Sequence, residues 1–128
     1  MNKQIKQVLE FQKAFDQGLR TSPSAYLKEG RRELRYDLML EENKEYLTAA
    51  INGDLEKIAD ALGDMLYVLF GTIIEHGMQD KIVEVFDEIH RSNMSKLSED
   101  GKPIFRYDGK VLKGSNYSPP NLTDILKV

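Results

Sequence analysis

Two acidic segments near the middle of the chain carry the residue types most suited to chemistry. Glu41, Glu42 and Glu45 precede a short Gly-containing turn, and Asp60 and Asp64 follow it. At helical spacing, Glu42 and Glu45 lie on one face, and Asp60 and Asp64 also share a face. Clustered carboxylates repel each other and are costly to desolvate, and a hard divalent cation is the usual partner that neutralises them. A solvated acidic helix face is the alternative interpretation.

The apolar surroundings of these acids favour a buried cluster. Residues 65–74, directly after Asp64, carry no charge, and a helix that is apolar on most sides is buried. Leu34 and Leu38 lie on the side of the preceding helix that bears Glu42. The acids therefore extend a core-facing stripe, which indicates a metal site between two helices.

Four amphipathic helices with short connections must position these acids. Asn52-Gly53-Asp54 is a turn, and Asp54 is a good N-cap for the third helix. No strand pattern occurs before residue 100, so the sequence predicts an all-α fold, an antiparallel four-helix bundle. The predicted helices cover residues 2–17, 28–50, 55–75 and 79–97.

The C-terminal part of the chain has a different pattern. Asp108-Gly109 stands between two short apolar segments, which predicts a hairpin followed by an extended tail. An isolated hairpin is marginally stable in water. We therefore expect a helical domain over residues 1–97 and a C-terminal extension over residues 98–128 that packs on it or on a partner subunit.

Composition and charge narrow the classes of function. The 128 residues suit one globular domain. The chain has no apolar run of membrane-spanning length, no apolar signal-peptide core and no cysteine, which together predict a cytoplasmic protein without membrane contact. Residues 1–90 hold 11 Lys and Arg against 17 Asp and Glu, whereas residues 91–128 hold 7 against 4. An acidic body with a basic tail suits a metal and a phosphate better than duplex nucleic acid.

The two acidic segments resemble those of the MazG-like all-α nucleoside triphosphate pyrophosphohydrolases, which include phosphoribosyl-ATP pyrophosphohydrolase and the dimeric dUTPases. The family pattern is ExxE, a gap, and then ExxD. Glu42 and Glu45 match the first half and Asp64 matches the last position, but Ala61 stands where the family has a glutamate. The GKPIFRYDGKVLKGSNYSPP tail suggests the phosphoribosyl-ATP-pyrophosphohydrolase-like branch with a C-terminal extension.

The resemblance implies a Mg²⁺-dependent enzyme, with Mn²⁺ able to substitute, that cleaves an NTP or dNTP between the α- and β-phosphates. The products would be a nucleoside monophosphate and pyrophosphate. In such a site Glu42, Glu45 and Asp64 would be metal ligands, and Asp60 would be the fourth ligand in place of the missing glutamate. Glu41 would bind an additional metal or act as the base that positions the attacking water.

The HRSNMSK segment at residues 90–96 looks like the Asn/Lys segment that closes the nucleotide site in this family. By this resemblance Lys96 would bind a phosphate, and Asn93 would bind a phosphate, the ribose or a base edge. Arg91 and Lys113 are further phosphate candidates. Ordinary surface charge at a helix C-terminus is the alternative for Arg91 and Lys96, because the helix dipole favours cations there.

A catalytically inert helical oligomerisation or interaction module of the same fold is the alternative function, since the ExxD glutamate is missing. In either case the third helix is apolar nearly all round, which predicts a homo-oligomer, with a dimer as the expected form. Arg31 and Arg35 are expected to pair with acids, and Phe11 and Phe15 to serve as packing residues. No single residue marks a pocket for a particular base.

Overall fold

In the computed structural model, which describes residues 2–127, four helices are followed by a two-stranded antiparallel hairpin. The predicted all-α class with a hairpin in the C-terminal tail is confirmed. The chain forms two compact units, Met1–Asp80 and Lys81–Val128, and the predicted boundary at residue 97 stays a prediction. The elements are α1 (Asn2–Ala14), α2 (Arg31–Asn52), α3 (Leu55–Glu75), α4 (Ile82–Met94), β1 (Ile104–Phe105) and β2 (Val111–Leu112).

In the first unit α2 and α3 form a helical hairpin, and α1 also packs on α3. Gly53 ends α2 in the left-handed conformation with φ 65°, and the Asp54 side chain accepts a hydrogen bond of 3.1 Å from the backbone N of Lys57. This turn therefore has the predicted cap, and α3 has the predicted bounds. The apolar core of this unit consists of Ile5, Val8, Ala49, Ala61, Phe70, Ile73 and Ile74.

The other helices differ from their predicted bounds for local and tertiary reasons. α1 ends at Ala14 rather than at residue 17, because the chain turns at Asp16 with φ 51° and the Gln12 side chain donates to the Gly18 carbonyl at 3.0 Å. α2 begins at Arg31 rather than at residue 28, because Gly30 precedes it with φ 80°, a left-handed conformation that a right-handed helix cannot contain. α4 is shorter than predicted at both ends.

A buried ionic group joins α2 and α3 in the first unit. The Glu75 side chain is 1% exposed and pairs with Arg31, and its Oε2 atom lies 3.8 Å from Nε of Arg35. Arg35 also donates to the Val68 carbonyl at 2.7 Å. A Cβ atom at Gly71 would lie 2.6 Å from Nη2 of Arg35, so this glycine makes room for the guanidinium. The expected pairing of Arg31 and Arg35 with an acid is confirmed, with Glu75 as the partner.

In the second unit the tail runs alongside α4 and is held by hydrogen bonds. The hairpin pairs Ile104 with Leu112, and its turn contains Gly109 with φ 87°. After the hairpin, the Ser95 hydroxyl accepts a hydrogen bond of 2.9 Å from the backbone N of Ser118. The predicted hairpin is confirmed, although each strand has only two residues.

One face of α3 leaves apolar side chains exposed. Leu62, Leu66 and Leu69 are each between 44% and 53% exposed, and with Met39 and Met65 they line a cavity of about 510 Å³. Within residues 2–127, none of the helices combines the length and the apolar character needed to cross a membrane.

Candidate active site

Glu42 lies at the centre of the predicted acidic cluster. Its side chain is half-buried, and its Oε2 atom is shielded from water and has no hydrogen-bond partner among the described residues. Burial raises the pKa of Glu42, and the nearby carboxylates of Glu45, Asp64 and Glu41 raise it further, to about 7 in all. Because the repulsion between like charges falls with distance, these carboxylates lie near Glu42. The charges of four of the five predicted acids, on α2 and α3, therefore act on one another.

Asp60, the fifth acid, is placed differently. Its exposed side chain lines an open pocket with Asp54 and Lys57, and its charge is not among those that raise the pKa of Glu42. Ala61, which stands at the position of the ExxD glutamate, is 2% exposed and belongs to the core. The assignment of Asp60 as the fourth ligand stays a prediction.

In the second unit, Lys96 and Lys113 lie in segments that are hydrogen-bonded to each other. The backbone N of Gly114 donates to the Lys96 carbonyl at 2.9 Å. A Cβ atom at position 114 would lie 2.8 Å from this oxygen, so only glycine permits the contact without a shift. The Lys113 ammonium group lies 4.6 Å from the centre of the Tyr117 ring. Two of the predicted phosphate-binding side chains therefore come from neighbouring segments.

Arg91 has structural partners in the second unit. Its Nε and Nη2 atoms donate to the two carboxylate oxygens of Glu88 at 2.9 and 2.8 Å, and Nη2 also donates to the Pro119 carbonyl. The Arg91 guanidinium holds the pKa of Glu88 below its ordinary value. Asn93, on the same helix, is exposed. Arg91 thus stabilises the docked tail, whereas Asn93 remains accessible.

Comparison with known protein families shows which family this chain resembles. The family model described as Phosphoribosyl-ATP pyrophosphohydrolase matches residues 8–93, which include α2, α3 and both acidic segments. The chain belongs to the phosphoribosyl-ATP pyrophosphohydrolase family. A search among curated proteins gave no match. Members of the family hydrolyse phosphoanhydride bonds of nucleotides, and the chain is therefore a nucleotide pyrophosphohydrolase.

The family generally depends on a divalent metal, and the acids of this chain fit one in their chemistry. Over residues 2–127, no three acidic or histidine side chains are arranged to enclose a single ion. The unpartnered Oε2 atom of Glu42 and the carboxylates of Glu45 and Asp64, which raise its pKa, are nevertheless oxygen donors of the kind that such an ion binds. Mg²⁺ takes few carboxylates and completes its octahedron with waters and substrate phosphates, so an open set of this kind suits it.

Two features of the first unit were not identified from the sequence. Tyr67 lies in the uncharged stretch after Asp64, where its neighbours indicate core packing, yet it is 41% exposed. Glu75 ends the same stretch, and its burial against two arginines depends on residues 44 and 40 positions earlier in the chain. The isolated charge of Glu75 at the end of an apolar helix was the signal available in the sequence.

Proposed function

We propose that this family member is a metal-dependent nucleoside triphosphate pyrophosphohydrolase. It cleaves the α–β phosphoanhydride of an NTP or dNTP and releases a nucleoside monophosphate and pyrophosphate. The proposal rests on the half-buried Glu42. The pKa of this residue is raised by burial and by the charges of three further carboxylates. Carboxylates concentrated in this way are typical of a site that binds a hard divalent cation.

Glu42, Glu45 and Asp64 would hold the cation, which we take to be Mg²⁺, with Mn²⁺ as a substitute. Asp60 or a water molecule would complete the set. When bound, the ion neutralises phosphate charge and lowers the pKa of a coordinated water. It would also restore the ordinary ionised state of Glu42, because a nearby positive charge lowers the pKa of a carboxyl group.

The remaining predicted residues would act on the water and on the substrate. Glu41 would orient the attacking water and accept its proton. Lys96 and Lys113 would neutralise phosphate oxygens, and Asn93 would donate a hydrogen bond to a phosphate, the ribose or a base edge. Arg91 would contribute through the docked tail, since its guanidinium is engaged with Glu88 and Pro119.

A screen of canonical NTPs and dNTPs for pyrophosphate release tests this proposal. With Mg²⁺ or Mn²⁺ we expect equal amounts of monophosphate and pyrophosphate, and none of either product with a chelator. Release of inorganic phosphate instead would place the cut at the β–γ bond. A wild type without turnover of any nucleotide would support the inert interaction module, for which buried Ala61 in place of the family glutamate is the relevant observation.

We also propose that the protein is a homodimer. The exposed face of α3, with Leu62, Leu66 and Leu69 around an apolar cavity of about 510 Å³, is the kind of surface that monomers rarely leave in water. A second copy of the chain would cover it with the same residues, as two-fold symmetry requires. Sedimentation at micromolar concentration decides between a monomer and a dimer.

A further inference from the structure

An aromatic cluster lies between α1 and α3. The rings of Phe11 and Phe15 are 4.4 Å apart between centroids with an interplanar angle of 32°. The ring of Tyr67 meets Phe11 edge to face at 5.4 Å and 89°. Together with Gln7 and Glu10 these rings line a pocket of about 440 Å³. The lining of the pocket therefore combines aromatic rings with two polar side chains.

The two phenylalanines pack on neighbouring rings, as expected, but the three rings are not part of the hydrophobic core. Phe15 is 62% exposed and Tyr67 is 41% exposed, whereas the core residues Val8 and Ile74 are at most 2% exposed. Covering such exposed aromatic rings with another flat apolar group is favourable, because it removes apolar surface from water. The cluster therefore presents ring surface that a planar ligand can use.

The position of Tyr67 relates this pocket to the acidic cluster. Tyr67 follows Asp64 by three residues on α3, and side chains at this spacing have Cβ atoms about 5–6 Å apart on one side of a helix. Asp64 is a proposed ligand of the cation, while Tyr67 contacts Phe11 of α1. A ribose bridges a comparable gap between a base and its first phosphate.

We propose that Phe11, Phe15 and Tyr67 form a stacking platform for the nucleobase of the substrate. This inference rests on the proposed function, because it assumes that phosphates bind at the carboxylates of Glu42 and Asp64. Stacking on aromatic rings accepts every base, since each base has a π-face. The Gln7 amide and the Glu10 carboxylate in the lining of the pocket supply hydrogen-bonding groups for the edge of the stacked base.

A single tryptophan can report on the platform directly, because the chain contains none. In Phe15→Trp, we expect ribonucleoside 5′-monophosphates to quench the indole fluorescence and ribose 5-phosphate, which lacks a base, to leave it unchanged. Tyr36→Trp is the matched control, because Tyr36 on α2 is 63% exposed and Phe15 is 62% exposed. Quenching of neither reporter, or equal quenching of both, would overturn the proposal.

Kinetics supply an independent test. Phe15→Leu keeps an apolar side chain but removes the ring, and we expect KM to rise roughly ten- to hundred-fold with kcat changed less, the loss measured when a stacked ring is removed. Phe15→Tyr should keep KM near that of the wild type. An unchanged KM in Phe15→Leu, with or without a change in sedimentation, would overturn the proposal, and a change in sedimentation would assign the rings to a subunit contact.

The two proposals fail in different ways. If the wild type releases no pyrophosphate from any nucleotide, the proposed function fails, yet base-dependent quenching of Phe15→Trp would still support the platform. If the wild type releases pyrophosphate while the tryptophan reporters and KM do not respond, the platform fails and the proposed function stands.

Discussion

Replacing Glu42 by glutamine should stabilise the metal-free protein and at the same time abolish its response to metal. The pKa of Glu42 is raised from 4.5 to about 7, first by burial and then by Glu45, Asp64 and Glu41. A native state that holds a proton more tightly than the unfolded chain loses stability as the pH rises, here from about 4.5 to about 7. Glutamine has nearly the same shape and carries no charge. The variant should therefore not lose stability over this pH range.

The size of the effect follows from the shift. At 1.36 kcal/mol per pKa unit, the shift corresponds to at most about 3 kcal/mol. Solvent around the half-buried Glu42 screens the repulsion, so we expect a gain on the order of 1 kcal/mol in the free energy of unfolding at pH 8. At pH 4, where the native wild type already holds the proton, the gain should disappear.

Urea unfolding followed by circular dichroism, in the presence of a chelator, measures this gain at both pH values. Asp37→Asn is the matched control, because Asp37 is an exposed carboxylate of the same helix. In a second series, millimolar Mg²⁺ should raise the melting temperature of the wild type and of Asp37→Asn but not that of Glu42→Gln. Pyrophosphate release should fall by on the order of 10²-fold in Glu42→Gln.

Two results would refute the reasoning. If Glu42→Gln is no more stable than the wild type at pH 8 without metal, the carboxylates do not repel each other around a desolvated Glu42. If Mg²⁺ stabilises Glu42→Gln as strongly as it stabilises the wild type, Glu42 is not a ligand of the cation.

Three further predictions concern other parts of the first unit. Asp64→Asn should lower pyrophosphate release by on the order of 10²-fold, whereas Asp60→Asn should cost less because Asp60 does not act on Glu42; equal losses would make Asp60 the fourth ligand. Glu75→Gln should destabilise the protein by about 3 kcal/mol in urea unfolding, because the buried Arg35 and the partly exposed Arg31 lose their counter-charge, and Glu33→Gln, which removes the exposed partner of Arg32, is the control that should leave the unfolding transition nearly unchanged. Leu66→Glu should convert the proposed dimer into a monomer in sedimentation, and a dimer that persists would place the interface elsewhere.

Features that depend on neighbouring residues along the chain could be predicted from the sequence. The turn at Gly53, the N-cap at Asp54 and the bounds of α3 depend on hydrogen bonds within about four residues. The position of Glu42 and Glu45 on one face of α2 likewise follows from helical spacing alone. For this reason the all-α class and the α2–α3 hairpin were correctly predicted.

Features that depend on how helices pack could not be predicted in this way. Whether Glu42 is desolvated is decided by the rotation of α2 against α3, and the end of α1 is decided by the contact between Gln12 and Gly18. The partner of Arg31 lies 44 residues away, and a helical pattern shows which side of a helix is buried but not which helix covers it. The exposure of Phe15 beside Tyr67 has the same origin, because a pattern of apolar residues does not show where the packing of α1 on α3 ends. The acids could therefore be proposed as a site from local spacing, whereas their electrostatic state and the aromatic pocket of Phe11, Phe15 and Tyr67 were decided by the tertiary packing of three helices.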